Sequence, residues 1–230
     1  MHTLSPTLRT YIEAHIIPLY DTFDPAHQRN HVLSVIDRSM ALAAHYDVNP
    51  DMVYTIAAYH DTGLSRDRQT HHLVSGHILR SDHALQQWFD AEQIEVMAEA
   101  VEDHRASNAH EPRSIYGKIV AEADRLIDPY TILSRALLFG LSHHPELNEQ
   151  AQIARAAHHL IEKYGDNGYL KLWIPESPNH QRLQEVRSLL NTPAQLRQTL
   201  QQIYTELTAA SSTPPVSYTH LRAHETRSNL

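Results

Sequence analysis

The amino-acid sequence predicts an all-α protein. Glycine occurs only 6 times in 230 residues, which is well below its average share of roughly 7%. Asn-Gly and Asp-Gly turns, which join β-strands in hairpins, are also scarce, although Asp166-Asn167-Gly168 marks one clear break. Long stretches rich in Ala, Leu, Gln and Glu favour helices joined by short loops.

The first three helices are predicted from pairs in which a capping residue precedes proline. Ser5-Pro6 is an N-cap followed by proline at the first helical position, and it predicts a helix to about Tyr20. Asp24-Pro25 begins the second segment, in which apolar residues recur at helical spacing. Asn49-Pro50 begins the third helix, which carries the dipeptide His60-Asp61 near its end.

Seven further helices are predicted after the first three. They are expected over residues 72–86, 91–104, 113–127, 129–142, 146–164, 179–190 and 193–209. Residues 1–210 are expected to form a single domain, with the candidate motifs within 27–140, and residues 165–178 to form an ordered loop that packs back on it. Residues 211–230 lack apolar periodicity and are expected to be a disordered or non-native tail.

Composition excludes several classes of chemistry. The chain has no cysteine, so disulfides, zinc–thiolate sites, iron–sulfur clusters and thiol nucleophiles are excluded, and any metal must use nitrogen and oxygen ligands. The net charge of −8 and the lack of a dense basic run argue against nucleic acid as a partner. No apolar run reaches the roughly 20 residues of a membrane span, and the start of the chain lacks a signal pattern. We therefore expect a cytoplasmic protein with no membrane partner.

Four residues of metal-ligand type stand in a spaced order along the chain, namely His31, the adjacent pair His60-Asp61, and Asp124. Two neutral imidazoles and two carboxylates from three helices can hold one divalent cation and leave positions open for water. The pair lies at the predicted C-terminal end of a helix, where the helix dipole favours a cation. Asp124 borders an apolar stripe, where an unpaired carboxylate is costly. Because the chain has 19 histidines, the spacing and not the residue type supports this prediction.

The same residues and their flanks resemble the HD-domain metal-dependent phosphohydrolases over roughly residues 27–140. The resemblance includes the segment Ala57–Gly63 around the His-Asp pair and the segment Lys118–Leu126 around the last aspartate. It implies an HD-domain helical bundle with additional C-terminal helices. It also implies that a divalent metal, with Mn, Fe, Co, Ni, Mg and Zn left open, is bound by His31, His60, Asp61 and Asp124.

Two further histidines are candidates for a second metal or for contact with the substrate phosphate, because some relatives place such histidines between the His-Asp pair and the last aspartate. His72 opens a predicted helix and His104 ends one, so both could face one cavity and act in catalysis. His71 could replace His72, since sequence does not resolve adjacent positions. Surface or capping histidines are the alternative in a chain so rich in histidine.

Basic residues near these motifs could hold a phosphate. Arg66 and Lys118 are the preferred substrate-binding residues, and the other candidates are Arg29, Arg68 and Arg125. The alternative is that each is an ordinary solvated or salt-bridged side chain, as an i,i+4 pair between Lys118 and Glu122 would be.

The resemblance implies a hydrolase that cleaves a phosphoester in a small phosphorylated molecule such as a nucleotide. Asp61 would orient the attacking water while it ligates the metal, and His72 and His104 are candidates for protonating the leaving oxygen. Two alternatives stay open: a di-iron HD-type oxygenase, and a non-catalytic module that binds metal and nucleotide. The segment 143–210 could form a lid or the surface of a homodimer.

Overall fold

The computed structural model describes residues 4–24, 27–66, 68–108 and 110–212. Every regular element in these ranges is helical, which confirms the predicted all-α class. Short 3-10 helices cover Ile17–Thr22, Thr62–Ser65 and His83–Gln87. The α-helices are α1 (Pro6–His15), α2 (Arg29–Ala43), α3 (Pro50–Tyr59), α4 (His71–Ser81), α5 (Ala91–Asp103), α6 (Ile115–Asp124), α7 (Pro129–His143), α8 (Glu149–Tyr164), α9 (Asn179–Leu190) and α10 (Pro193–Ser212).

Helix α10 extends two residues into the segment 211–230 that was expected to be a tail, and the rest of that segment lies outside the described residues. Within the described ranges, no helix has both the length and the apolar character that a membrane crossing requires.

Several helices begin at residues whose side chains cap the first turn. The Asn49 side chain accepts a hydrogen bond from the backbone N–H of Asp51 at 2.9 Å, and the Asp128 carboxylate accepts one from Thr131 at 2.8 Å. Proline follows both caps at the first helical position, as it follows Ser5 before α1. Such a cap stabilises a helix by about 1 kcal/mol, and these pairs mark the starts of α1, α3 and α7. The second helix differs, because α2 begins at Arg29 after Gln28 rather than directly after Asp24.

The first helix is shorter than the sequence predicts. It ends at His15 rather than near Tyr20, and a 3-10 helix, Ile17–Thr22, follows it. Pro18 lies in this stretch and has no backbone N–H to donate to the preceding turn, so the α-helical pattern stops before it.

Helix α3 lies at the centre of the first apolar core. All residues of Met52–Tyr59 are buried, and α2, α5 and α6 pack against this helix. Ile56 and Tyr59 are among the largest fully buried side chains of the described residues. Because α3 is buried all round, its C-terminal end carries the next two residues, His60 and Asp61, into the interior of the protein.

Helices α7 to α10 enclose a second apolar core. The segment 165–178 between α8 and α9 packs back on the first core, where Ile174 is fully buried. The buried Glu122 carboxylate on α6 accepts a hydrogen bond from the backbone N–H of Trp173 at 2.8 Å, so this segment links the two cores. The described residues of the second core include Ile132, Leu137, Leu160, Val186 and Leu200.

Candidate metal centre

Six side chains with metal-binding groups meet where five helices begin or end. They come from the first turn of α2, the two residues after α3, the first residue of α4, the residue after α5 and the last residue of α6. In that order they are His31, the pair His60-Asp61, His71, His104 and Asp124.

The carboxylate of Asp61 lies at the middle of this arrangement. Its Oδ2 atom is 3.2 Å from His60 Nε2 and 3.5 Å from His31 Nε2. Its Oδ1 atom is 3.4 Å from His71 Nε2 and 3.5 Å from His104 Nε2. Asp61 is only 4% exposed, so each of its oxygens faces one pair of histidines rather than solvent.

Asp124 completes one of two candidate ligand sets. Its Oδ1 atom is 3.3 Å from His31 Nε2 and 3.8 Å from His60 Nε2. His31, His60 and Asp124 form the outer set, and Asp61, His71 and His104 form the inner set, with the ligand atoms of each set within 4.8 Å of one another. Since the Asp61 carboxylate has one oxygen toward each set, it could bridge two metal ions.

The donor atoms fit a cation rather than a network of hydrogen bonds. The Nδ1 atoms of His60, His71 and His104 lie 2.8, 2.8 and 2.6 Å from the carbonyl oxygens of the residues three positions earlier. A carbonyl oxygen only accepts, so each Nδ1 carries a proton and each neutral imidazole presents the lone pair of Nε2 to the centre.

Nε2 atoms face each other at short distances in both ligand sets. His71 Nε2 and His104 Nε2 are 3.3 Å apart, and two imidazole lone pairs beside the ionised Asp61 carboxylate repel one another unless a positive charge lies between them. His31 Nε2 and His60 Nε2 are 3.2 Å apart, with the Asp61 and Asp124 carboxylates beside them. The residues present therefore fit the divalent metal that the resemblance implies.

Electrostatics at the centre also favour a positive charge. Burial lowers the pKa of His31, but hydrogen bonds with Asp124 and Asp61 outweigh burial and raise that pKa to about 9. Burial opposes ionisation of Asp124, yet the hydrogen bond with His31 and the neighbouring imidazoles hold its pKa below the ordinary value. The pKa of Asp61 is likewise held well below its ordinary value despite burial, chiefly by His60. Both carboxylates are thus ionised near neutral pH, as metal ligands must be.

The side chains of Tyr20 and Ser75 fix the turn that carries His60 and Asp61. The fully buried Tyr20 hydroxyl donates to the carbonyl oxygen of Ala58 at 2.9 Å and accepts from the backbone N–H of Asp61 at 3.2 Å. Gly63 donates its N–H to Ser75 Oγ at 2.8 Å. These bonds tie the turn to the first 3-10 helix and to α4.

The structure brings together the four ligands that the sequence predicts, His31, His60, Asp61 and Asp124. It also places there His104, which the sequence made a candidate for a second metal or for contact with the substrate phosphate. The sixth side chain of the centre is His71 and not His72. The sequence had left these two adjacent residues as alternatives. The His72 Nδ1 atom is buried with no hydrogen-bond partner among the described residues, and burial lowers the pKa of His72 to about 4. Since neighbours on a helix point about 100° apart, the exact start of α4 at His71 decides which of the two faces Asp61.

The two preferred substrate-binding residues, Lys118 and Arg66, are not among the residues that line the cavity beside the centre, which is described below. Lys118 Nζ is 2.5 Å from the carboxylate of Glu111, so its ion pair is with Glu111 rather than with Glu122. Arg66 is exposed at the end of the 3-10 helix Thr62–Ser65. A role for Lys118 or Arg66 in substrate binding stays a prediction.

A cavity of about 570 Å³ opens beside the centre. His31 and Asp124 are among the residues that line it, and helices α7 and α8 form its facing wall. The sequence analysis did not assign site residues on that wall. Arg155, His159 and Lys163 recur at every fourth position of α8, and this repeat of basic residues on one helix face is the signal that would have indicated them.

Residues 29–127 match the family model of the HD domain, which confirms the resemblance over that part of the chain. The match supports assignment to a superfamily of metal-dependent hydrolases. A predicted HD superfamily hydrolase from an uncultured Thermotogales bacterium, whose crystal structure was determined at 1.45 Å resolution, is 21% identical to this chain. The alignment covers 66% of this chain and 84% of that chain, with a TM-score of 0.44. No curated protein matches the chain.

Proposed function

We propose that this protein is a metal-dependent phosphohydrolase that cleaves a phosphoester of a small phosphorylated molecule. The main support is the Asp61 carboxylate, which presents one oxygen to each of two ligand sets. The two sets would hold two divalent ions, which when bound would supply an activated water and stabilise negative charge on the oxygens of phosphoryl transfer.

The side chains of the centre contribute orientation and exclusion of water. The Nδ1 hydrogen bonds of His60, His71 and His104 hold the imidazoles with Nε2 toward the centre, so little reorganisation is needed. Asp61 and His104 are buried, whereas His31 and Asp124 line the cavity. In this proposal the phosphoester therefore approaches from the side of His31 and Asp124.

The proposed roles of Asp61 and His104 follow from their positions. Asp61 orients the attacking water while it ligates. His104 Nε2 lies 3.5 Å from the Asp61 carboxylate, and the side chain is 3% exposed, so we assign His104 as a ligand and not as the group that protonates the leaving oxygen.

The donor set bears on the identity of the metal. Four of the six candidate ligands are imidazoles, and imidazole suits Fe, Ni and Zn better than Mg, which prefers oxygen ligands and retains its waters. We therefore propose a transition-metal ion in preference to Mg.

The size of the cavity supports a small-molecule substrate. Its volume of about 570 Å³ lies within the range of roughly 300–1,000 Å³ that holds small ligands. With a net charge of −8, a nucleic-acid backbone is a poor partner. We propose a small phosphorylated substrate, such as a nucleotide, in a cytoplasmic protein.

The second ligand set also supports a second candidate function, a di-iron oxygenase, because such an enzyme needs two metal positions. The experiment that separates the candidates begins with elemental analysis of the purified full chain, to count metal ions per chain. Phosphate release from 4-nitrophenyl phosphate and from nucleotides is then measured without oxygen, and oxygen uptake is measured separately.

Each outcome selects one candidate. Two divalent ions per chain with anaerobic phosphate release support the phosphohydrolase. Two irons with oxygen uptake and no phosphate release support the oxygenase. Bound metal with neither activity supports a module that binds metal and nucleotide without turnover.

A further inference from the structure

We propose that the cavity beside the metal centre binds a second phosphate of the substrate, with Arg125 as its anchor and Arg135, Arg155 and Lys163 as supporting cations. The substrate would then be a small molecule with two phosphate groups, one at His31 and Asp124 and the other among these cations. This inference rests on the proposed phosphohydrolase function and specifies its substrate class.

The cavity wall carries a local excess of positive charge. Among the described residues that line the cavity are four arginines and one lysine, and the acidic residue beside them is Asp124, which is already a candidate metal ligand. In a chain with a net charge of −8, such a concentration of cations around one cavity raises the local concentration of anions.

Arg125 has unused hydrogen-bond donors in a buried position. It is 8% exposed, and its Nε and Nη1 atoms have no hydrogen-bond partner among the described residues. A buried guanidinium without a partner is costly. An anion in the cavity would satisfy these donors with charge-assisted hydrogen bonds.

The carboxylate of Glu122, three residues before Arg125, is engaged elsewhere. Glu122 accepts hydrogen bonds from the backbone N–H of Trp173 at 2.8 Å and from Asn179 Nδ2 at 3.0 Å. The same Asn179 Nδ2 donates to the backbone oxygen of Arg125 at 2.9 Å, which fixes the backbone of Arg125 at the cavity wall. Arg125 is therefore held in place while its donors stay available.

The facing wall offers a second arginine of the same kind. Arg155 Nε is buried with no hydrogen-bond partner among the described residues, while Arg155 Nη2 donates to the carbonyl oxygen of Ala136. The guanidinium lies 5.6 Å from the centroid of the Phe139 ring, which helps to hold it across the cavity from Arg125.

Two cations on α8 face the cavity. Arg155 and Lys163 lie eight positions apart with His159 between them, so all three share one face of α8 and all line the cavity. A dianion bound in the cavity would be attracted to both cations. A phosphate matches this site better than a carboxylate, because it has three oxygens and carries close to two negative charges for several donors.

The two phosphate positions are close enough for one small molecule. Asp124 and Arg125 are consecutive residues, so their Cα atoms are about 3.8 Å apart, and both line the same cavity. A compact bisphosphate can therefore place one phosphate at the metal centre and the other at Arg125.

The first test measures anion binding without turnover. Inorganic pyrophosphate is titrated calorimetrically into the full chain in the presence of a chelator, for the wild type and for Arg125→Gln, Arg155→Gln and Arg197→Gln. Arg197 is exposed on α10, so its variant is the control for the loss of one cation. We expect the affinity to fall by about tenfold or more in the Arg125 and Arg155 variants and by less than about twofold in the control. No binding, or an equal loss in all three variants, would overturn the proposal.

The second test measures selectivity in the metal-loaded protein. The ratio of kcat/KM for adenosine 3′,5′-bisphosphate to kcat/KM for adenosine 5′-monophosphate should fall by about tenfold in Arg155→Gln. An unchanged ratio contradicts the proposal even if phosphate release persists, and the phosphohydrolase function then stands without the second subsite. If neither compound is hydrolysed but the pyrophosphate result holds, the anion subsite stands and the phosphohydrolase function fails. Because Arg125→Gln changes a buried position, Arg155→Gln on α8 keeps both tests decisive even if the Arg125 variant does not fold.

Discussion

The hydroxyl of Tyr20 accepts a hydrogen bond from the backbone N–H of Asp61 at 3.2 Å, although 41 residues separate them in the sequence. The same hydroxyl donates to the carbonyl oxygen of Ala58 at 2.9 Å. One buried phenol thus holds both the last turn of α3 and the residue that faces both ligand sets. The geometry of the metal centre depends on a residue that contributes no ligand.

Replacing Tyr20 with phenylalanine should therefore weaken both the fold and the centre. The change leaves the buried N–H of Asp61 without its acceptor, which costs about 1–3 kcal/mol of unfolding free energy. It should also lower metal affinity by roughly tenfold, since outer partners orient the ligands. Urea denaturation and metal titration measure the two effects. Tyr130→Phe, which removes an exposed hydroxyl that pairs with Glu206, is the control. Equal behaviour of the two variants would contradict this role for Tyr20.

Asp61 itself should be needed for metal and activity but not for folding. In Asp61→Ala, both ligand sets lose the carboxylate they share, so metal content per chain should fall. Activity should fall by more than the roughly 10–100-fold that is typical of changes to outer partners. Elemental analysis and phosphate release measure these losses, and circular dichroism checks the fold. Asp47→Asn, at an exposed position, is the control. Full metal content and activity in Asp61→Ala would refute the proposed centre.

The sequence could predict the helices and much of the centre because both depend on local signals. Asn49-Pro50 and Asp128-Pro129 mark helix starts through capping and a fixed backbone angle. The dipeptide His60-Asp61 follows an apolar helix, so its burial follows from the helix before it. These features need no knowledge of the packing between distant segments.

The parts that the sequence could not predict depend on packing between distant segments. The exact start of α4 decides between His71 and His72, and that start depends on how closely α4 approaches the turn at Gly63. The cavity wall is another case, because α8 is distant in sequence from the candidate ligands and only the fold brings Arg155 to the same cavity as His31 and Asp124. The ion pair of Lys118 with Glu111 likewise depends on the path of the loop before α6.

His71 and His72 offer a comparison within one dipeptide. His71→Ala removes a ligand of the inner set, so the protein should lose one metal ion per chain. His72→Ala removes a side chain whose Nδ1 has no partner among the described residues, so metal content should not change. Elemental analysis of the two variants in parallel measures the difference. Loss of metal in His72→Ala but not in His71→Ala would show that α4 has a different register from the one described.

Gly63 should tolerate no side chain, because the turn after Asp61 lies directly against α4. A Cβ atom at residue 63 would be 2.1 Å from the carbonyl oxygen of His71 and 2.8 Å from the backbone nitrogen of Ser75. Both neighbours are backbone atoms and cannot move aside by rotating a side chain. Gly63→Ala must therefore push α4 away from the turn, which should lower the unfolding free energy by about 3 kcal/mol.

The displacement should also reach the metal centre, because His71 is the first residue of α4 and supplies a ligand to the inner set. We expect Gly63→Ala to bind one metal ion more weakly than the wild type. Metal titration measures this affinity under conditions in which urea denaturation shows that the variant is folded. Gly117→Ala is the matched control, since a Cβ atom there would first meet the side chain of Pro112 at 3.1 Å, and alanine favours a helix. Its stability should change by less than about 1 kcal/mol. A Gly63→Ala protein with the stability and metal content of that control would mean that the turn and α4 are not in the close contact described.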